Sequence, residues 1–347
     1  MERKERILVF FTGGTIASGM LDSVTGPSKK SSQSIYNYIK HFFQDKNVEL
    51  ICHEPWGMPG KDSSNLDPGN WQQITSLIVQ ELEKGLDGVL ILYGTDTMAY
   101  FSAWLSLCFP DIDISIILTG SQLTLDYKPE DVTINIPGAA QVVYYRFPGI
   151  WIYCNWKLFP GKRAHKAHAL HPDAFTVSNG TPVYFNMDWA TNNRKSITLP
   201  SSYTVSPELK KMLTLPVEQV RKICNKICWL MCTPGMEPLI DKNKKIICIY
   251  GFGAGNAPVT VLNYIRKSFG KEVKKPCIIA CSQAEGDIKK PDYYQEVGIA
   301  WLAQNGFQVW NQMDYPVEFI HALSCYALLN DNNNPGTILS KYLQGPF

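Results

Sequence analysis

The sequence predicts a two-domain α/β protein, with a larger N-terminal, mostly parallel sheet flanked by helices and a smaller C-terminal α/β domain. Short continuous apolar runs alternate with stretches of helical spacing, and several of the runs end in glycine beside threonine or serine. Unbroken apolar runs suit strands buried on both faces, as in parallel sheets covered by helices. At 347 residues the chain is also long for a single core. The expected organisation is an N-terminal domain over residues 1–190, an inter-domain connection over 191–222 and a C-terminal domain over 223–347.

The first strand is the run Ile7 to Phe11, which delivers Thr12-Gly13-Gly14-Thr15 at its carboxyl end. Glycines there let the backbone turn sharply and let a ligand come close, and ligands of open α/β sheets bind outside the carboxyl ends of strands. The same four residues also suit a tight turn with polar caps. Residues 18–33 are polar and rich in Gly, Ser and Lys, which predicts a mobile loop or lid. A helix is expected over 34–43, a strand over 48–53 and a loop over 54–65. Asp67-Pro68, a cap residue with proline at the first helical position, opens the next helix, whose apolar spacing runs through Trp71, Ile74, Ile78 and Leu82.

The run 89–93 reads as a third buried strand ending in Gly94-Thr95-Asp96-Thr97, with a helix through Leu107. Strand 114–118, the segment Thr119-Gly120-Ser121-Gln122, a helix near 135–144 and strand 150–154 continue the alternation, so Thr12, Ser63, Thr95 and Ser121 would share one sheet edge. The pattern fails from 186 to 217, where Thr, Ser, Asn and Pro dominate. Strands are then expected at 227–232, 246–250 and 277–281, helices at 257–269, 293–304 and 317–329, and a polar, fraying tail after Asn330.

Composition narrows the function. A formal charge of +2 gives no electrostatic case for a nucleic-acid or membrane partner. No apolar stretch reaches the ~20 residues of a membrane span, and the charged start carries no leader pattern, so a cytoplasmic protein is expected. Ten cysteines lie mostly inside apolar runs, where cysteine acts as a small hydrophobe. Cys224, Cys228 and Cys232 lack the spacing of a zinc site, and no metal is expected. Gly251-Phe252-Gly253-Ala254-Gly255-Asn256 has asparagine where a dinucleotide fingerprint needs glycine, so no cofactor is expected either.

What remains is nucleophilic chemistry. A threonine hydroxyl attacks only when a neighbouring base takes its proton. Lys166 can serve if burial lowers its pKa, with Asp96 orienting it. Two threonines at adjacent strand tips let one attack while the other helps move the proton. The bland alternatives are that Thr95 and Asp96 cap a helix, that Asn256 does the same, that His165, His168 and His171 are surface residues, and that Trp71, Trp104 and Trp301 are core.

Thr12-Gly13-Gly14-Thr15-Ile16 together with Tyr93-Gly94-Thr95-Asp96-Thr97 resembles the paired signature of the L-asparaginase family. Asp62-Ser63-Ser64, Thr119-Gly120-Ser121-Gln122, the segment Lys162-Arg163-Ala164-His165-Lys166 and Gly253-Ala254-Gly255-Asn256 follow in the family's order, most like its cytoplasmic bacterial (type I) members. The resemblance implies hydrolysis of L-asparagine to L-aspartate and ammonia through a threonyl ester, without a cofactor. It casts Thr12 as nucleophile, with Thr95, Asp96 and Lys166 handling protons. It makes Gly14, Ser63, Ser64, Thr95, Asp96 and Asn256 substrate-binding, the last reaching a neighbouring subunit of a homodimer or homotetramer. Backbone N–H groups near Thr12 and Thr95 would hold the oxyanion.

Two departures stand out. Tyr93 occupies a position where the family usually has histidine, and no tyrosine falls between Ile16 and Ile35, leaving Thr25 and Ser28 as the available loop hydroxyls. Other readings are a degenerate member that binds asparagine or aspartate without hydrolysing it, and the amide-hydrolysing subunit of a tRNA amidotransferase. Such subunits typically carry an added N-terminal domain, and the early position of Thr12 speaks against that reading.

Overall fold

The computed structural model describes residues 3–21, 24–127, 130–185, 203–284 and 297–345. Two compact units divide between Thr214 and Leu215, inside the stretch expected to connect the domains.

The first unit is built on a seven-stranded sheet. Its elements are β1 (Glu5–Phe11), the hairpin β2 (Ser18–Leu21) and β3 (Val24–Pro27), α1 (Lys29–Phe43), β4 (Val48–His53), α2 (Pro68–Leu82), β5 (Gly88–Leu92), α3 (Met98–Cys108), β6 (Ser115–Thr119), α4 (Val132–Tyr144), β7 (Gly149–Cys154), β8 (Lys157–Pro160), β9 (Ala164–Lys166), β10 (Phe175–Val177), β11 (Val183–Tyr184) and α5 (Pro207–Leu213). The strand order is β11-β8-β7-β6-β5-β1-β4, with β4, β1, β5, β6 and β7 parallel and β8 and β11 antiparallel. The parallel strands β5 and β6 are buried throughout, as their unbroken apolar runs require. The chain leaves β1 for β4 on one side and returns to β5 on the other, so the β1/β5 gap is the topological switch point, where a ligand crevice opens in such sheets.

The expected mobile loop over 18–33 is instead a two-stranded hairpin running directly into α1, which begins at Lys29 rather than 34. Ser28 caps that helix, its Oγ accepting from the Ser31 N–H at 3.3 Å. Asp67 and Asn70 form the reciprocal cap predicted for α2. Trp71 and Trp104 are buried as expected. Within the stretch taken as connection, α5 buries Leu209 and Met212, and the Gln72 amide donates to the carbonyls of Met212 and Leu213, which ties this helix to the first unit.

The second unit holds α6 (Val217–Cys224), β12 (Ile227–Met231), β13 (Ile246–Gly251), α7 (Val259–Phe269), β14 (Cys277–Ser282), α8 (Ala300–Gln304), β15 (Val309–Asn311), α9 (Val317–Asn330) and α10 (Gly336–Leu339). Its sheet is parallel in the order β12-β13-β14-β15. The helix expected from 293 begins at Ala300, and residues 293–296 lie outside the described residues. Trp301 is half-buried beneath the Arg266 guanidinium, 5.2 Å from its ring centroid. The tail does not fray: Leu339 and Leu343 are buried, and Gln344 pairs with Asn311.

On α9, His321 accepts from Trp229 Nε1 at 3.0 Å with Cys325 beneath it, and burial pulls its pKa down to about 4 from the ordinary 6.5. Above pH 6.5 the ring is neutral folded or unfolded, and this contribution to stability is complete. As pH falls towards 4 the unfolded chain takes up a proton that the folded one refuses, so stability drops. Because the residue keeps some exposed surface, the expected loss is about 2 kcal/mol rather than the full value of the shift. Denaturant titrations at pH 7 and 4.5 on wild type and His321→Gln check this, the variant losing that part of the slope.

Candidate active site

The geometry starts from two glycines. After β1 the chain continues the ladder for one residue, Thr12, whose N–H and Oγ1 both donate to the Leu92 carbonyl at 3.2 and 2.8 Å. Gly13 (φ 111°) and Gly14 (φ 87°) then turn it through conformations that side chains resist. A Cβ on Gly13 would lie 2.4 Å from the Lys61 carbonyl oxygen, and one on Gly14 2.5 Å from Gly94 Cα. The loop after β1 is therefore pressed between the Gly60-Lys61 segment and the loop after β5, at the switch point.

Beyond Gly94 stand the polar groups. Lys166, on the short strand β9, donates from Nζ to Thr95 Oγ1 at 2.8 Å and to Asp96 Oδ1 at 2.5 Å. Thr95 in turn donates to Gln122 Oε1 at 2.8 Å. Gln122 is fixed by its own amide, which donates to the carbonyls of His168 and Ala169, and by its N–H, which donates to Asp131 at 2.9 Å. Burial lifts the Asp131 carboxyl above the usual carboxylate range, opposed by the N–H groups of Gln122 and Leu123. Thr95 is 6% exposed, while the Asp96 side chain is 61% exposed and open to a solute.

Ser63 lies against Gly94 and accepts the Thr97 hydroxyl on its carbonyl at 2.7 Å. Ser64 is exposed, its hydroxyl held by Asp62. Tyr93 is buried, accepts from Trp71 Nε1 at 3.2 Å and stacks on Phe101. Burial raises its pKa, so it stays a neutral phenol.

The structure brings Gly14, Ser63, Thr95, Asp96 and Lys166 to one loop cluster. Thr12 joins the cluster through its backbone alone: it has no exposed surface and its hydroxyl is engaged by Leu92. Thr15, just past the glycine pair and beside Gly14, is the partly exposed threonine of that loop. Asn256 belongs to the second unit, half-buried in the turn after β13, where it pairs with Phe252. Of the loop hydroxyls, Ser28 serves as a helix cap, and the Thr25 side chain lies outside the described residues. His168 and His171 are exposed neighbours, their ring centroids 5.7 Å apart.

The motif Thr119-Gly120-Ser121-Gln122 does not by itself assign Gln122 a role. Its position directly after Gly120-Ser121 at the tip of β6 was the available signal. Among the described residues no group of three or more His, Cys, Asp or Glu is placed to hold a metal ion, and no helix is long and apolar enough to cross a membrane.

The family model "Asparaginase, N-terminal" matches residues 6–197. L-asparaginase 1 of Escherichia coli K12 is 30% identical over 264 residues, covering 74% of this chain and 73% of that protein. A glutamyl-tRNA(Gln) amidotransferase subunit from Methanosarcina mazei is 26% identical over 304 residues, covering 82% of this chain but 65% of the relative's own length. The fold is shared with the probable cytoplasmic L-asparaginase of Campylobacter jejuni, with a TM-score of 0.73 at 19% identity over 97% of this chain and 98% of that one. L-asparaginase I of Vibrio cholerae gives a TM-score of 0.71 at 24% identity over 97% and 96%.

Proposed function

This chain belongs to the asparaginase family, and from that premise we propose that it hydrolyses L-asparagine to L-aspartate and ammonia through a threonyl ester. The observation that carries the reading is Lys166 Nζ bridging Thr95 Oγ1 and Asp96 Oδ1 beside the glycine loop.

In this reading the attacking hydroxyl belongs to Thr15, because Thr12 has no surface to offer. The Thr15 oxygen adds to the side-chain amide carbon, and its proton passes through Thr95 and Lys166 to the amide nitrogen. The C–N bond breaks, ammonia leaves, and water then cleaves the ester by the same route in reverse. Backbone N–H groups of the glycine loop and of the loop after β5 stabilise the oxyanion. Gly14, Ser63, Ser64 and Asp96 hold the α-carboxylate and α-amino groups. Asn256 completes the site from a neighbouring subunit in a cytoplasmic homodimer or homotetramer. Thr12 keeps a positioning role, locking the start of the loop to β5.

Ammonia release from L-asparagine, L-glutamine and D-asparagine tests the proposal. Wild type is expected to prefer L-asparagine, and Lys166→Gln to lose about 10²-fold or more in kcat with the fold retained. Equal activity in wild type and Lys166→Gln would sink the proton route. The similarity to an amidotransferase subunit favours a second reading, in which the amide is that of glutamine and ammonia passes to a partner protein. Glutamine-dependent release that needs a co-purifying subunit would select it. Thermal stabilisation by asparagine without ammonia would select a binding protein.

A further inference from the structure

The second unit carries a charged edge that the proposed hydrolysis leaves unused. Lys226 precedes β12, Lys244 and Lys245 precede β13, and Lys274 and Lys275 stand just before β14. The Lys245 N–H donates to the Lys226 carbonyl at 2.8 Å and the Cys277 N–H to the Lys245 carbonyl at 2.9 Å, so these strand starts lie side by side at the amino edge of the sheet. A cavity of about 570 Å³ opens there, lined by Lys244, Lys245, Lys274 and Lys275, with Glu272 as the carboxylate among its lining residues.

Three of these four ammonium groups are held in place. Lys244 Nζ donates to the Asn225 carbonyl at 2.6 Å, Lys275 Nζ to that of Asn305 at 2.9 Å, and Lys245 Nζ to that of Asn332. Each keeps N–H donors beyond the one its carbonyl accepts. Among the described residues the lysines in ion pairs are Lys84, Lys157, Lys166 and Lys210, all in the first unit. Among the described residues the cavity lysines are in none. Burial, and then repulsion from Lys226 and Lys274, lower the Lys245 pKa against a weaker opposing pull from Asp331. An anion entering the cavity relieves that repulsion.

We propose that this cavity binds a small compound bearing a chain of phosphates. Neighbouring strand starts lie about 5 Å apart and next neighbours about 10 Å, so one phosphate meets one or two ammonium groups while a phosphate chain spans the row. The limited size of the cavity and the near-neutral chain favour a small ligand over a nucleic acid. The ligand is a nucleoside triphosphate or an inorganic polyphosphate.

Calorimetric titration of the whole chain with tripolyphosphate, ATP and orthophosphate at about 0.15 M salt tests this. Tripolyphosphate is expected to bind about tenfold or more tightly than orthophosphate, with Lys275→Gln and Lys245→Gln each weakening it about tenfold. ATP matching tripolyphosphate assigns recognition to the phosphate chain alone, and ATP exceeding it adds the nucleoside; both support the site. No heat with either polyphosphate, or unchanged affinity in both variants, overturns it. A single-stranded oligonucleotide that displaces tripolyphosphate at lower concentration overturns the small-ligand assignment. Unfolding midpoints of the variants serve as controls, and should Lys245→Gln not fold, the exposed Lys274→Gln makes the same test.

Discussion

Thr15→Ala is expected to abolish ammonia release from L-asparagine, lowering kcat by about 10⁴-fold or more, the scale on which nucleophile removal acts. Its unfolding midpoint should stay close to wild type, since Thr15 is partly exposed. Thr12→Val should behave in the opposite way. It keeps the shape of a fully buried side chain but removes the hydroxyl that donates to Leu92, costing about 1 kcal/mol of stability. Its activity should fall several-fold through a loosened loop, not vanish. Rapid-quench mass spectrometry should trap an aspartyl ester on the peptide holding residues 12–17, and fragmentation should place it on residue 15. An ester on residue 12 would return the nucleophile to Thr12 and require the glycine loop to rearrange before attack.

The second large effect is on stability, at Asp87. This carboxylate is 2% exposed, pairs with Arg146 at 2.9 Å and Arg3 at 3.0 Å, and accepts the Arg6 N–H at 2.8 Å. It ties the start of β1 and the end of α4 to the start of β5. Asp87→Ala is expected to cost about 3 kcal/mol, the low end for breaking a buried pair, because Glu5 still lies 3.6 Å from Arg146. In a unit of this size that is a fall of about 6–12 °C in Tm. Calorimetry on Asp87→Ala and Asp87→Asn reads it, with the amide expected to recover part of the loss. A change within about 0.5 kcal/mol for the alanine variant would show that the cluster contributes nothing net.

The tips of β1, β5 and β6 were legible because each is an apolar run, continuous enough to demand burial on both faces, with glycine and a hydroxyl residue close behind it. β4 and β7 carry no such signal at their ends, the first running into Glu54-Pro55 and the second into Asn155-Trp156, and were legible from their apolar content alone. The hairpin β2–β3 was not legible, because Ser, Gly, Thr and Pro break up its few apolar residues, Met20, Leu21 and Val24, in strands too short to show alternation. Ser28 shows the same limit from the other side. As a residue type it could belong to a loop or a cap, and only the helix behind it decides. The choice between Thr12 and Thr15 was invisible for a related reason. Both flank the same glycines, and only the bonds of Thr12 to the Leu92 carbonyl, with the burial that goes with them, set the two apart. The two-residue turn Asn155-Trp156, which reverses the sheet into β8, carries positive φ at both positions and no glycine to announce it. The polar tail escaped because two leucines, Leu339 and Leu343, suffice to dock it.

The place of β1 between β4 and β5 also sets an order of events during synthesis. Its partner β5 ends at Leu92, about 80 residues further along the chain, and the lysine that engages Thr95 comes 71 residues after that threonine. At roughly 5–20 residues per second, the run Ile7 to Phe11 waits several seconds for its second neighbour. Until then one edge of this apolar run is open to pairing with other chains. Slowing translation before residue 92 should therefore lower soluble yield more than slowing it afterwards.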